Sequence, residues 1–278
     1  MRRWLVFGLS GMLGRAIAPH LPGDCEIVAP TRQRAGASVE GVQWLYGSLP
    51  GFAPDDRTFD VILSLGPLDL FAEWFAAQGI RAERIVAISS CSLRFKAAST
   101  DAGERDVAAR LQHAEETIFA VARERGIAAT ILRPTLIYGN GMDRSLSPLL
   151  AFARRWRVLP LPARAGGLRQ PVHVDDVAQA VFACLDRPAS IGMIYELPGA
   201  ESLDFDTMMR RMAQRHLPGV GIVALPNPLF RLLLALGLRV RGWDLSAGGI
   251  VRRLAQDQVA DASAARRDLG FSPRAFLP

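Results

Sequence analysis

The sequence predicts an α/β protein: a doubly wound parallel sheet that carries a smaller, mainly helical C-terminal lobe. Three observations predict it. Short β-rich runs alternate with helical stretches over the first half of the chain, as strands and crossover helices do in a parallel sheet. The first of these runs enters a helix through three regularly spaced glycines. After Gly139 the alternation degrades and Pro and Arg become more frequent. The boundary is therefore expected there, with residues 1–139 forming the sheet and residues 140–278 the lobe, and with the chain crossing back around residues 169–185.

Taken in order, the strands are expected at Trp4 to Phe7, Glu26 to Ala29, Val42 to Leu45, Val61 to Leu65, Arg84 to Ser89 and Ala129 to Leu132. After the first comes Gly8-Leu9-Ser10-Gly11-Met12-Leu13-Gly14, a GxxGxxG turn. Gly8 permits the tight turn, Gly11 lets a pyrophosphate approach the backbone, and Gly14 lets the helix pack closely on the strand. The helix N-terminus adds amide donors and positive potential. At the first strand-to-helix turn of an alternating chain, this spacing points to a Rossmann-type dinucleotide site, with Gly8, Ser10, Gly11, Met12, Leu13 and Gly14 against the cofactor. Pro19 should end that helix early.

The second strand runs into Ala29-Pro30-Thr31-Arg32-Gln33-Arg34. An NAD-preferring site usually has a carboxylate there for the ribose hydroxyls. Here there is none, and two guanidiniums are available for a 2′-phosphate, so Thr31, Arg32 and Arg34 are cofactor candidates and NADP(H) is expected over NAD(H). The clearest helix runs from about Ala102 to Arg125, where Val107, Leu111, Ala114, Ile118 and Val121 fall on one stripe. Asp101 with Glu104 reads as a capping box and Gly126 as the stop.

Composition bounds the remaining classes. Of 278 residues 50% are hydrophobic and 22% charged, which builds a core and excludes disorder, collagen and coiled coil. No apolar run reaches the roughly 18 residues that span a bilayer. Leu229 to Leu238, interrupted by Arg231, is expected to be a core helix of the lobe, so membrane contact is not expected, although Arg239, Arg241, Arg252 and Arg253 around it would suit anionic headgroups. Met1 to Phe7 is read as a mature N-terminus of a cytoplasmic protein. Cys25, Cys91 and Cys184 are widely spaced, which predicts reduced thiols and no metal site. The two halves carry 15 basic with 15 acidic and 18 basic with 12 acidic residues, so the whole formal charge of +6 lies after residue 139. Those basic residues are scattered, without a tract or interleaved aromatics, so a small anionic ligand is expected and nucleic acid is not.

At this point the motifs resemble, in kind and order, the extended short-chain dehydrogenase/reductase superfamily of nucleotide-sugar epimerases and dehydratases. They are the glycine turn, Asp60-Val61-Ile62-Leu63-Ser64-Leu65-Gly66, Ile88-Ser89-Ser90, Leu132-Arg133-Pro134-Thr135-Leu136-Ile137-Tyr138-Gly139, the run Arg169 to Val177, and a terminal Leu269-Gly270-Phe271-Ser272-Pro273. The resemblance implies that Ser64, Leu65, Gly66 and Pro134 lie along the cofactor and that Ser89 and Ser90 approach the nicotinamide. It also implies that Arg169 stands where relatives hold a substrate diphosphate. With Arg144, Arg154, Arg155, Arg157 and Arg164 nearby, an anionic small-molecule substrate and a solvated basic face are equally compatible readings. Asp175 and Asp176 are expected to cap the helix after them, and His173 to pack structurally. Related folds often form homodimers through the helices after the fourth and fifth strands.

The family's chemistry rests on a Tyr-x-x-x-Lys pair in the helix after the fifth strand, and this chain has none. Its tyrosines are Tyr46, Tyr138 and Tyr195, and its only lysine is Lys96. If Glu115 or Glu116 is the glutamate that follows the pair, the tyrosine position holds Val107 or Ala108 and the lysine position Leu111 or Gln112. The place of the assisting Ser or Thr is taken by Cys91. Ser89, Ser90 and Cys91 are therefore the catalytic candidates, although an unreactive buried thiol is the expected state of Cys91. Two readings follow: an atypical NADP(H)-dependent oxidoreductase that takes its proton from elsewhere, or a non-catalytic nucleotide binder similar to redox-sensing regulators or to the accessory subunit of respiratory complex I. Residues 192–203 and 225–234 resemble the substrate-side lobe of the complex I group.

Overall fold

β1 (Arg2–Phe7) shows how the core is divided. Trp4 and Val6 point to one face of the sheet and Leu5 and Phe7 to the other, and all four are buried. Period-two alternation with both faces apolar is what a strand covered by helices on both sides requires. The computed structural model describes residues 2–32, 39–142, 146–163, 165–240 and 247–277.

From β1 the chain passes through α1 (Met12–Ile17) and a single 3₁₀ turn containing Pro19, which ends the helix as expected. β2 (Cys25–Thr31), β3 (Val42–Tyr46) and β4 (Thr58–Ser64) follow, then α2 (Leu68–Ala77) and β5 (Arg81–Ile88). α3 (Ser92–Ala97) leads into α4 (Ala102–Arg125) and β6 (Ala128–Pro134). The Asp101 carboxylate accepts the Glu104 amide at 3.2 Å, and Gly126 closes α4 in the left-handed region.

The lobe begins with β7 (Ile137–Tyr138), α5 (Ser147–Trp156), β8 (Val158–Pro162) and β9 (Leu168–Arg169). β10 (Val172–His173) and α6 (Val174–Asp186) then bring the chain back to the large sheet, where β11 (Ile194–Leu197) pairs with β6. β12 (Leu203–Asp204), α7 (Phe205–His216), β13 (Gly221–Leu225), α8 (Asn227–Val240), α9 (Ala247–Leu254) and α10 (Ser263–Leu269) complete it. The large sheet is parallel throughout, in the order β3-β2-β1-β4-β5-β6-β11. The six expected strands are present, and a seventh, β11, comes from the second half of the chain. α1, α6 and α10 cover one face, while α2 and α4 cover the other.

The return is thus longer than residues 169–185: residues 172–197 and 262–271 pack on the sheet, and the lobe has its own core around Leu159, Leu161, Met208, Met209 and Phe276. One expectation is overturned. The Leu229 to Leu238 stretch lies in α8, but Leu229, Leu232, Leu233 and Leu236 are 44%, 57%, 45% and 54% exposed, so this helix is not core. Among the described residues its inward face contributes only Phe230 to the buried set. No helix among the described residues is long and apolar enough to cross a membrane.

Candidate functional site

Strand order reverses between β1 and β4, and in an open α/β sheet the crevice beyond that switch point receives the ligand. Both strands end there in the expected motifs. Phe7 pairs with Ser64, and the Leu65 amide donates to the Phe7 carbonyl at 3.0 Å. Gly8 has φ +81°, and a Cβ on it would lie 3.1 Å from the Gly66 nitrogen and the Leu65 carbonyl carbon. A Cβ on Gly14 would fall 2.2 Å from the Leu9 carbonyl oxygen. The turn therefore requires glycine at both places for close backbone packing. Gly11 caps α1 without a side-chain acceptor, and no carboxylate stands in the helix's first turn. Ser64 Oγ, beneath this turn, is buried without a hydrogen-bond partner. An anionic pyrophosphate fits an amide-lined turn kept free of carboxylates, so the residues present suit a dinucleotide.

Thr31 is buried at the end of β2, and Arg32 stands exposed beyond it. Arg34 lies outside the described residues. Ser10, Met12 and Leu13 sit in the turn and the start of α1, and Asn140 from the lobe donates to the Met12 carbonyl at 2.9 Å, so the lobe touches the turn directly.

At the ends of β5 and β6 the structure brings Ser89, Ser90, Cys91 and Pro134 together, with the Cys91 amide donating to the Pro134 carbonyl at 3.0 Å. Their side chains have different employment. Ser89 Oγ donates to Glu115, which in turn takes Arg133 in a buried, two-toothed ion pair, one contact of which is 2.9 Å. This bracket ties β5, α4 and β6 and holds the Arg133 guanidinium more firmly protonated. Cys91 is fully buried and its thiol donates to the Arg133 carbonyl at 2.9 Å. Burial pushes the thiol up to about 12, so it stays protonated at neutral pH. Ser90, partly exposed, accepts the Ser92 amide at 3.1 Å.

A cavity of about 250 Å³ opens beside these residues, lined by Gly66, Ser89 and Ser90 on the sheet side and by Val107, Arg110 and Leu111 from α4. Glu115, not Glu116, is the glutamate at the bracket, and Val107 and Leu111, eight and four residues before it, both line this cavity. The α4 wall is aliphatic there. Arg110 is held by Asp106 and Asp69, at 3.0 and 2.9 Å.

A second, larger cavity of about 630 Å³ lies between the glycine turn's lobe contact and α7. Arg154, Arg215 and His216 line it, together with His173, Arg274, Tyr138, Leu150 and Met212. Of the five arginines expected near the substrate three are described, and of these Arg154 lines it. Arg155 stacks on Trp156, Arg157 reaches the Gly219 carbonyl, and Arg144 and Arg164 lie outside the described residues. Sequence reasoning missed Arg215 and His216, which reach the cavity only because α7 folds back over β9.

Arg169 is elsewhere. It is 4% exposed, and its guanidinium donates to the carbonyls of Leu168, Gln256 and Arg253 at 2.8, 2.7 and 2.5 Å. Burial and nearby Arg253 pull it down to about 10. The structure uses it to clamp β9 to the segment after α9. The helix cap also differs from expectation. His173 Nδ1, not either aspartate, accepts the Asp175 amide at the start of α6, at 3.3 Å. Asp175 and Asp176 are already inside the first turn, where they suit the helix dipole. Asp176 is buried and binds Arg274 through its backbone amide and Nε, at 3.0 and 2.8 Å. His173 packs edge-on against Tyr138, and burial holds its pKa below the usual value.

Comparison with known proteins agrees with this geometry. Residues 65–197 match the family described as NAD dependent epimerase/dehydratase. The chain is 23% identical over 180 residues to a UDP-glucose 4-epimerase of Vibrio cholerae, covering 64% of this chain and 52% of that one. It is 33% identical over 123 residues to mitochondrial NADH dehydrogenase [ubiquinone] 1 alpha subcomplex subunit 9 of Arabidopsis thaliana, covering 44% and 29%. The chain thus matches about half or less of the length of these relatives. In fold it is similar to the UDP-glucuronic acid 4-epimerase of Bacillus cereus solved in complex with NAD, with a TM-score of 0.70 at 13% identity over 99% of this chain and 94% of that one.

Proposed function

We propose that the chain is a member of the extended short-chain dehydrogenase/reductase superfamily, a nicotinamide-dinucleotide-binding protein that holds its cofactor without the superfamily's proton relay. The observation that carries this reading is the aliphatic wall of the smaller cavity. Val107 and Leu111 face the space beside Ser89 and Ser90, and neither can give or take a proton. Ser89 is engaged by Glu115, and the Cys91 thiol is buried and protonated. When bound, the cofactor would supply hydride chemistry. The residues of the chain would cradle its pyrophosphate on the Gly8 to Gly14 turn, accept its ribose along Ser64, Leu65 and Gly66, and fix its nicotinamide end beside Ser89, Ser90 and Pro134. Exposed Arg32, with no carboxylate at the end of β2, supports NADP(H) over NAD(H).

A second reading rests on the larger cavity. Arg154, Arg215 and His216, with His173 and Arg274 and no carboxylate among the described lining residues, suit a small anionic substrate, which makes the chain an atypical oxidoreductase with Ser90 or water as proton source. One experiment separates the two. Cofactor-stripped protein is titrated with NADPH and NADH by tryptophan quenching, and the saturated complex is then mixed with nucleotide sugars and small carbonyl compounds while nicotinamide absorbance is followed. Tight NADPH binding with no oxidation by any compound supports the binder. Oxidation by any of them selects the enzyme, and failure to bind either dinucleotide overturns both readings.

A further inference from the structure

α8 turns its most apolar side outward. Leu229, Leu232, Leu233 and Leu236 stand at positions i, i+3, i+4 and i+7, one stripe of a helix, and each is between 44% and 57% exposed. Inward, α8 gives only Phe230 to the buried set among the described residues. On a water-facing helix this polarity is inverted, and a contiguous apolar stripe on a soluble surface marks an interaction site.

The charges on α8 and on its neighbour have one sign. α8 contains no carboxylate; Arg239, three residues after Leu236, lies on the leucine side, and Arg231 lies on the other side of the helix. Arg252, exposed on α9, which packs against α8, adds a third cation. Among the described residues none of these three is in an ion pair with a carboxylate, whereas Arg253, their neighbour, is bound to Glu104. α5 packs on the same strand, β8, as α8 does, and presents Phe152 and Trp156 at 43% and 63% exposure with Arg155 over the Trp156 ring. Leucines, interfacial aromatics and arginines without carboxylates are the composition of a surface that enters an acidic lipid interface.

We propose that the outward face of α8 is a peripheral docking surface for a bilayer containing acidic phospholipids. The leucines would enter the acyl boundary while Arg239 and Arg252 meet headgroup phosphates. Charge complementarity selects this occupant. A second copy of the chain would bring like charges together across the stripe. A partner protein would have to provide a groove for a protruding helix, whereas a bilayer accepts an apolar ridge of any shape. At 14 residues α8 lies on the membrane and does not span it. The proposal is independent of the nucleotide site, since neither cavity is lined by α8.

The full chain is floated with vesicles of phosphatidylcholine alone and with vesicles containing one-third phosphatidylglycerol. Recovery with the acidic vesicles, lost at high salt and much lower on phosphatidylcholine, is expected. Leu232→Gln with Leu236→Gln should lower vesicle affinity at least tenfold, and Arg239→Gln or Arg252→Gln about fivefold each. These side chains are exposed, so the variants should keep the wild-type circular dichroism and thermal midpoint. Three results would overturn the proposal: no recovery on acidic vesicles, equal recovery on both vesicle types, or a leucine variant that is folded and binds like the wild type. A dimer in sedimentation equilibrium that the leucine variant dissolves, with no flotation, would assign the stripe to self-association instead.

Discussion

At the residue scale the structure separates groups that look alike in sequence. Arg32, Arg169 and Arg133 are each basic residues beside a strand end. Arg32 is exposed, Arg169 is saturated by three carbonyls, and Arg133 is locked to Glu115. Replacing Arg32 by Ala should weaken NADPH binding far more than NADH binding, and equal losses in paired titrations would remove the phosphate contact. Gly14→Ala places a methyl 2.2 Å from the Leu9 carbonyl oxygen, which no side-chain movement can relieve. Loss of dinucleotide binding by more than about tenfold and a lower melting midpoint should follow. Cys91 should resist alkylation at neutral pH until denaturant is added, because the thiol is both buried and held at about 12. His173 allows a pH test. Its folded-state pKa is lowered, so below the ordinary value of 6.5 the unfolded chain binds the proton more readily and stability is lost as pH falls. Protonation also removes the Nδ1 acceptor that caps α6. His173→Asn keeps a capping acceptor and should flatten that loss in urea titrations at successive pH values; an unchanged pH profile would mean that His173 is not its source.

At the element scale the strands of the large sheet and α4 were legible because each carries its own signal. β1, β4 and β5 are apolar on both faces and read as unbroken runs, and α4 carries stripe, cap and stop within its own sequence. Asp101→Ala should therefore cost about 1 kcal/mol in chemical denaturation, with no change in the nucleotide affinity. What was not legible depends on residues far apart in sequence. β11 is only Ile194-Tyr195-Glu196-Leu197, and nothing in four residues announces pairing with β6 some sixty positions earlier. α8 is an apolar run, and a run alone does not say whether anything will cover it. The glycine turn was readable at its own positions, but the bracket of Ser89, Glu115 and Arg133 unites three elements. So does the larger cavity, whose Arg215 and His216 come from α7.

At the scale of the whole molecule the two halves of the sequence do not correspond to two halves of the structure. The sheet borrows its seventh strand and two covering helices, α6 and α10, from the residues that also build the lobe. A fragment ending at residue 139 should consequently lack a cooperative melting transition, since α1 would have no partner on its outer side; a fragment with the melting midpoint of the full chain would refute this. The same borrowing bears on how the protein is made. While the chain is being synthesised, β6 emerges as an unpaired edge, a template for pairing with other chains, and it stays so until residues 194–197 have left the ribosome. The nascent sheet therefore keeps that edge open over about sixty residues of synthesis, the interval in which it is most exposed to pairing with other chains.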